Sequence, residues 1–258
     1  MFSGVDIDGK AFTDCFECKK GANGDLSCSP GSKVKSVMQG MCFYGDLLDK
    51  YKKDENKITL IFFDTETNGM SSNNSVLSIT ATKAQIDKET FEIEVLEEFT
   101  RYYFAVEPYN QGAISVNGLT YNKVMELRRE NKSNYANYFK DDTEDLEKFF
   151  GDAKHFIAHN IDFDSRFIKR SLDYKFCTMK LNTSKVGIYN PYKGNFKWPK
   201  LLETAKHYGI NIQEEKLHMS SYDVELTVEV FKKMLEDESL STYIKNFVLN
   251  NQSCTNEI

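Results

Sequence analysis

Nothing in this chain approaches the ~20 consecutive apolar residues that a membrane-crossing helix needs. The opening residues, Met1-Phe2-Ser3-Gly4-Val5-Asp6, carry neither a basic start nor a long apolar stretch, so no secretory signal is expected. There is no internal repeat and no low-complexity tract. An excess of positive charge is also missing. The 33 Lys and Arg against 39 Asp and Glu leave a net charge of −6 and a pI near 5.4, so no global basic signature for nucleic acid is present. These absences point to a soluble, cytoplasmic or otherwise intracellular protein, made by a cell or from a viral or phage genome inside one. What is present is material for a core. The 258 residues are 40% hydrophobic and 13% aromatic, which fits one sizeable domain with an extension.

The extension is residues 1–57, which hold four of the six cysteines, Cys15, Cys18, Cys28 and Cys42, in Gly-rich text. Cys15-Phe16-Glu17-Cys18 has the spacing of half a zinc knuckle. The other half is lacking: Cys28 and Cys42 stand far apart, and the region has no His. Two readings stand side by side, a Cys₄ zinc site and a small extension of reduced thiols; disulfides do not suit a cytosolic chain. Residues 58–236 form the main domain, and 237–258 a last helix with a frayed tail. The hydrophobic patterning predicts strands at 58–64, 75–83 and 91–106 in a meander, then strands at 155–159 and 175–180. It predicts helices at 122–131, 143–150, 163–173, 199–208, 221–236 and 240–250.

Chemistry first shows at the end of the first strand. Asp64-Thr65-Glu66-Thr67 follows the apolar run Ile58-Thr59-Leu60-Ile61-Phe62-Phe63. Side chains at i and i+2 of an extended segment share a face, so two carboxylates arrive at one place. They repel unless a cation lies between them, and hard oxygen ligands suit Mg²⁺ or Mn²⁺. Two later segments bring further acids to helix starts, where the helix dipole favours them. One is Phe156-Ile157-Ala158-His159-Asn160-Ile161-Asp162-Phe163-Asp164. The other is His218-Met219-Ser220-Ser221-Tyr222-Asp223.

In this order the three segments resemble the motifs of the DEDDh, or DnaQ-like, exonucleases, the group of RNase T and the polymerase proofreading subunits. D-x-E-T, H-N-x-x-F-D and H-x-x-x-x-D are present in turn. Val116-Asn117-Gly118-Leu119-Thr120 is similar to the family's V-H-G-I-T segment, with Asn117 where His is usual. Leu202-Glu203-Thr204-Ala205 through Gly209-Ile210 is similar to the helix before the third motif. Ser78 stands where many members have a Glu. The resemblance covers residues 58–236 and says nothing about the extension.

It implies an α/β fold, an RNase H-like mixed sheet flanked by helices. It implies that Asp64, Glu66, Asp164 and Asp223 hold two Mg²⁺ or Mn²⁺ ions, with Asp64 shared between both. His218 would be the general base and His159 a structural residue supporting the turn with Asn160. Thr67, Asn68 and Met70 would meet the 3′-terminal nucleotide, with Phe163 beneath it. The expected activity is 3′→5′ hydrolysis of single-stranded nucleic-acid ends with release of nucleoside 5′-monophosphates. The alternatives are a proofreading subunit acting beside a separate polymerase or other replication or repair protein, and an inactive binding module on the same fold.

A binding surface is suggested by composition as well. Residues 166–206 contain ten Lys or Arg against two acids, interleaved with Tyr189, Tyr192, Phe196 and Trp198. Basic groups can follow phosphates while aromatics stack on bases. The loop with Lys193, Lys197 and Trp198 is therefore the expected path of a strand. The two readings of the extension are separated by metal analysis of protein purified without chelator. A zinc site predicts about one tightly held zinc per chain, lost together with thermal stability in Cys18→Ser.

Overall fold

In the computed structural model, residues 56–213 and 220–257 are described, together with the backbone of four short strands nearer the N-terminus. The chain forms two compact units, Met1–Asp54 and Glu55–Ile258. In the first, Gly4–Val5 pairs with Ala11–Phe12, and Cys18–Lys20 pairs with Leu26–Cys28, both antiparallel. The register of the second pair sets Cys18 opposite Cys28. Cys15 and Cys42 lie outside the described residues.

The second unit is built on five strands: β1 (Lys57–Thr67), β2 (Val76–Asp87), β3 (Ile93–Tyr102), β4 (His155–Ala158) and β5 (Tyr174–Cys177). Their order is β3-β2-β1-β4-β5, with the first three antiparallel and β4 and β5 parallel to β1. This is the expected mixed sheet with its leading meander. Helices α1 (Gln111–Asn117), α2 (Tyr121–Glu130) and α3 (Thr143–Phe150) lie between β3 and β4. A single turn, α4 (Ile161–Asp164), follows β4. After β5 come α5 (Thr178–Leu181), α6 (Thr183–Val186), α7 (Leu201–His207), α8 (Ser220–Glu236) and α9 (Glu238–Asn250).

Alternation along β1 divides the core. Leu60 and Phe62 face Ile157, Phe176 and the apolar side of α8 and α9, including Phe231, Ile244 and Phe247. Ile61 and Phe63 face the other way, onto Leu146 and Phe150 of α3 and Phe156 of β4. The rings of Phe62 and Phe176 meet Phe231 edge-on, with centroids 5.4 and 5.0 Å away. No helix among the described residues is long and apolar enough to cross a membrane.

Three local expectations are corrected. The stretch read as a helix over 163–173 is helical only to Asp164 and then turns. Ile168 and Leu172 are buried in the core, and the Arg170 guanidinium donates to the carbonyls of Gly151 and Ala153. Those tertiary contacts outweigh local propensity. The helix α1 was not expected, although its signals are local. Asn110 caps it by accepting from the Gly112 amide at 2.8 Å, and Gly118 ends it at φ 68°. The tail is not frayed as far as Cys254. That residue's amide donates to Lys175 O and its carbonyl accepts from Cys177 N–H, which covers the outer edge of β5.

The second unit has its own core. A chain beginning at Glu55 is expected to unfold in one transition and to keep the activity of the whole protein. Loss of cooperative unfolding on that truncation would show that the first unit completes the second. Within the core, Phe62→Ala should lower stability by about 3–5 kcal/mol, measured by denaturant titration.

Candidate active site

The stripe of β1 that is apolar at Leu60 and Phe62 becomes acidic at Asp64 and Glu66. β4 pairs with β1 only from Leu60 to Phe62. Beyond that point the β4 side of β1 is open, and Asp164 enters there from α4. The Thr65 amide and hydroxyl both donate to Asp164 Oδ1, at 3.0 and 2.7 Å. Asp223 arrives in the first turn of α8, the helix packed on the same face. One carboxylate oxygen each from Asp64, Glu66 and Asp223 lie within 4.8 Å of one another, a grouping able to hold a metal ion.

Burial and mutual repulsion govern how these groups ionise. Burial, then the charges of Asp164, Glu66 and Asp223, hold the Asp64 carboxyl well above its ordinary range. Burial, then Asp223, raises Glu66 to about 8, against a hydrogen bond from Asn117. Burial raises Asp164 to about 7, although the Thr65 bonds pull it down. Asp64 Oδ2 is buried without a hydrogen-bond partner. A buried carboxylate oxygen left in that state is costly, and three convergent acids with such an atom among them suit a hard divalent cation; Asp164 stands beside them, outside that grouping, on its Thr65 bonds.

The other expected residues are distributed around this cluster. Asn117 ends α1, donates to Thr67 O at 3.1 Å and accepts from the Leu119 amide at 3.0 Å. Asn68 is fully buried. Its side chain donates to Glu107 Oε1 and Pro108 O and accepts from the Asn110 amide. Glu107 also binds the amide and hydroxyl of Ser75. Burial opposes its ionisation, but these bonds prevail and bring it down to about 2. The Thr67 hydroxyl donates to Gly69 O. Met70 protrudes, 77% exposed. Phe163 is half-buried with its ring 5.3 Å from that of Phe167. Asn160 precedes α4, and its carbonyl accepts from Phe163 N–H.

His159 is tied on both sides. Nε2 lies 3.0 Å from the Pro199 carbonyl, which can only accept, so Nε2 carries the proton. Nδ1 then accepts from the Thr178 hydroxyl at 3.0 Å. Burial lowers its pKa to about 4. It therefore stays neutral and links the second motif to the segment beyond Trp198. His218 falls within 214–219, outside the described residues. At their border Gln213 N–H donates to Tyr222 Oη.

The aromatic run forms a small hairpin, Tyr189–Asn190 against Asn195–Phe196, with Lys193 in its turn. Tyr189, Tyr192, Phe196 and Trp198 are exposed. The Trp198 indole N–H donates to Glu257, and Lys180 Nζ sits 5.6 Å from its ring centre. The basic run is less free than its composition suggests: Lys180 pairs with Asp162, Lys185 with Asp237 and Lys197 with Glu203.

Acids converging at the end of the central strand of an RNase H-like mixed sheet are an arrangement that fits a nuclease. The family model described as exonuclease, RNase T, matches residues 61–231, and the chain belongs to that family of DnaQ-like exonucleases. Among solved structures, a structure of exonuclease I and one of E. coli exonuclease I with a dT13 oligonucleotide each align at 15% identity and a TM-score of 0.51. They cover 74% of this chain and 44% and 43% of their own. Exonuclease X in complex with 5′-overhanging duplex DNA aligns at 18% identity and a TM-score of 0.46, over 72% of this chain and 99% of its own. The chain thus spans less than half the length of the exonuclease I chains. No curated protein matches it.

The raised carboxyls make stability depend on pH in a definite direction. Glu66 near 8 and Asp164 near 7 lie above the ~4 of an unfolded carboxyl. Between those limits the folded chain binds more protons than the unfolded one, so stability falls as pH rises. His155 and His159, held neutral in the fold, oppose this trend below the ~6.5 of a free imidazole, so the thermal midpoint of chelator-treated protein is expected to drop from there to pH 8. Mn²⁺ should raise it more at pH 8 than at pH 5, where protons compete for the same oxygens. Asp64→Asn should raise the metal-free midpoint at pH 8 and weaken the Mn²⁺ response. A wild-type midpoint that tracks that of Asp64→Asn across this range would contradict the charge cluster.

Proposed function

We propose that this chain is a metal-dependent 3′→5′ exonuclease of DEDDh type. It hydrolyses phosphodiester bonds at single-stranded 3′ ends and releases nucleoside 5′-monophosphates. The observation that carries the reading is the convergence of Asp64, Glu66 and the buried Asp223, with Asp164 bound to Thr65 beside them. These four carboxylates would hold two Mg²⁺ or Mn²⁺ ions. Bound divalent cations supply charge neutralisation at phosphoryl oxygens and a more acidic water.

The remaining steps belong to the chain. His218, five residues before Asp223, takes the proton from the attacking water. An imidazole with a pKa near ~6.5 is available in its neutral form at physiological pH. Thr65 keeps the Asp164 carboxylate turned toward β1. The loop of Thr67 and Asn68, braced by Glu107, shapes the pocket for the terminal 3′ hydroxyl. Met70 and Phe163 offer apolar surface to the last base. Tyr189, Tyr192, Phe196 and Trp198 offer stacking faces to bases further along the strand, with Lys193 toward phosphate.

Digestion of labelled single-stranded DNA and RNA oligonucleotides, with Mg²⁺, Mn²⁺ or chelator, tests this directly. Cleavage should need metal, proceed from the 3′ end and be stopped by a 3′-phosphate but not by a 5′ block. Cuts within a circular single strand would overturn the end-directed reading. His218→Ala should lower turnover by about 10² to 10⁴-fold with little change in half-saturating substrate. The wild-type rate should rise with pH on the acidic side as imidazole loses its proton, and that limb should vanish in the variant. A variant keeping both rate and limb would remove His218 from the mechanism.

A further inference from the structure

β2 carries a row of hydroxyls directly across from the acids. Ser78 lies opposite Glu66, and Thr80 lies opposite Asp64. Cross-strand neighbours share a face of the sheet, so these hydroxyls look toward α8 as the acids do. Both side chains are fully buried, and both reach Ser220, the first residue of α8, itself 2% exposed. Ser78 Oγ donates to Ser220 Oγ at 3.2 Å, and Thr80 Oγ1 is 3.0 Å from the same atom. Thr80 Oγ1 is also 3.0 Å from Thr100 Oγ1, which donates to Glu98 at 2.7 Å.

Each hydroxyl has one proton, and that fixes a direction. Thr100 gives its proton to Glu98, so it accepts from Thr80. Thr80 has then spent its proton and accepts from Ser220, while Ser220 accepts from Ser78. The chain runs Ser78, Ser220, Thr80, Thr100, Glu98, with every proton used and its far end on a carboxylate.

The start of a helix is its least secured part, because its first amides have no partner within the helix. Here that first turn also carries Asp223, three residues after Ser220, against the repulsion of Asp64 and Glu66. We infer that Ser220, held by Ser78 and Thr80, is a positioning residue for Asp223. The hydroxyl chain clamps the first turn of α8 to the strand next to β1. It thereby keeps the Asp223 carboxylate within reach of its two partners before any cation binds. The inference rests on the proposed metal-dependent function.

The test uses the full chain, with Mn²⁺ alone as the probe for affinity and a single-stranded oligonucleotide for kinetics. Ser220→Ala and Thr80→Val each remove two hydrogen bonds of the chain and should each weaken Mn²⁺ binding and lower kcat by about 3- to 10-fold, the part of that loss expected to reach Asp223. KM for the oligonucleotide should not move. Thr80→Ser keeps the hydroxyl and should stay close to wild type, which separates the hydrogen bond from packing. In an Asp223→Asn background, Ser220→Ala should cost no further Mn²⁺ affinity. If Ser220→Ala does not fold, the Thr80→Val and Thr80→Ser pair carries the comparison. The inference is overturned if the hydroxyl-removing variants lower only the thermal midpoint, or if the Ser220→Ala loss is as large without the Asp223 charge. A wild-type chain that binds no Mn²⁺ and cuts no oligonucleotide would overturn the functional reading itself, and needs no variant to be seen.

Discussion

Repulsion among the partly or fully buried acids Asp64, Glu66, Asp164 and Asp223 is the constraint around which the second unit is organised. Two unit charges about 4 Å apart interact with roughly 4 kcal/mol at the effective dielectric of a protein site. Several such pairs rival the whole stability of an ordinary domain, about 5–15 kcal/mol. The metal-free site therefore lowers its charge by keeping protons: burial and neighbouring charges raise Asp64 and Glu66, and burial raises Asp164 against its Thr65 hydrogen bonds. A scaffold that confines such a cluster must be stiffer than the cluster is repulsive. Leu60 and Phe62, on the same stripe of β1, are locked against Phe231 and Phe176 directly below the acids.

Each acid is held by a different kind of support. Asp64 and Glu66 are fixed by the β1 ladder itself, which continues to Thr67 against β2. Asp164 sits on a single helical turn, too short to be rigid alone, and two hydrogen bonds from Thr65 anchor it. Glu66 is further restrained through Asn117, which also grips the Thr67 carbonyl. Asp223 has the helix start of α8, where the dipole favours negative charge, and the buried hydroxyls beneath it. Strand, turn and helix thus deliver acids from sequence positions as far apart as 64 and 223 to a single locus.

Legibility in the sequence followed the range of the interactions. The Asp64–Glu66 pair could be read because a period of two is a local property. The helix carrying Asp223 could be read because Val224, Val228 and Phe231 repeat at helical spacing. The turn after Asp164 could not be read, because it depends on Arg170 reaching carbonyls at 151 and 153. The bond between Ser78 and Ser220 spans 142 positions, and nothing local marks either serine. Composition misled in one respect. The basic run over 166–206 looked like open positive surface, yet acids from outside it, Asp162 and Asp237, neutralise part of it. The helix α1 is the case where a local signal, the caps Asn110 and Gly118 on either side of seven helical residues, was present and unused.

That neutralisation bears on how a chain of net charge −6 would hold a polyanion under the proposed function. With Lys180, Lys185 and Lys197 already paired, the hairpin would offer ring faces beside Lys193, and stacking would add to what counterion release supplies. His159 ties this surface to the acids: one ring nitrogen holds Thr178 at the start of α5 and the other holds Pro199 beside Trp198. Its burial keeps it neutral, so the link does not change with physiological pH. The same motif that supplies Asp164 therefore also ties down the segment of Trp198, and the acids and the exposed aromatic surface are parts of one connected structure.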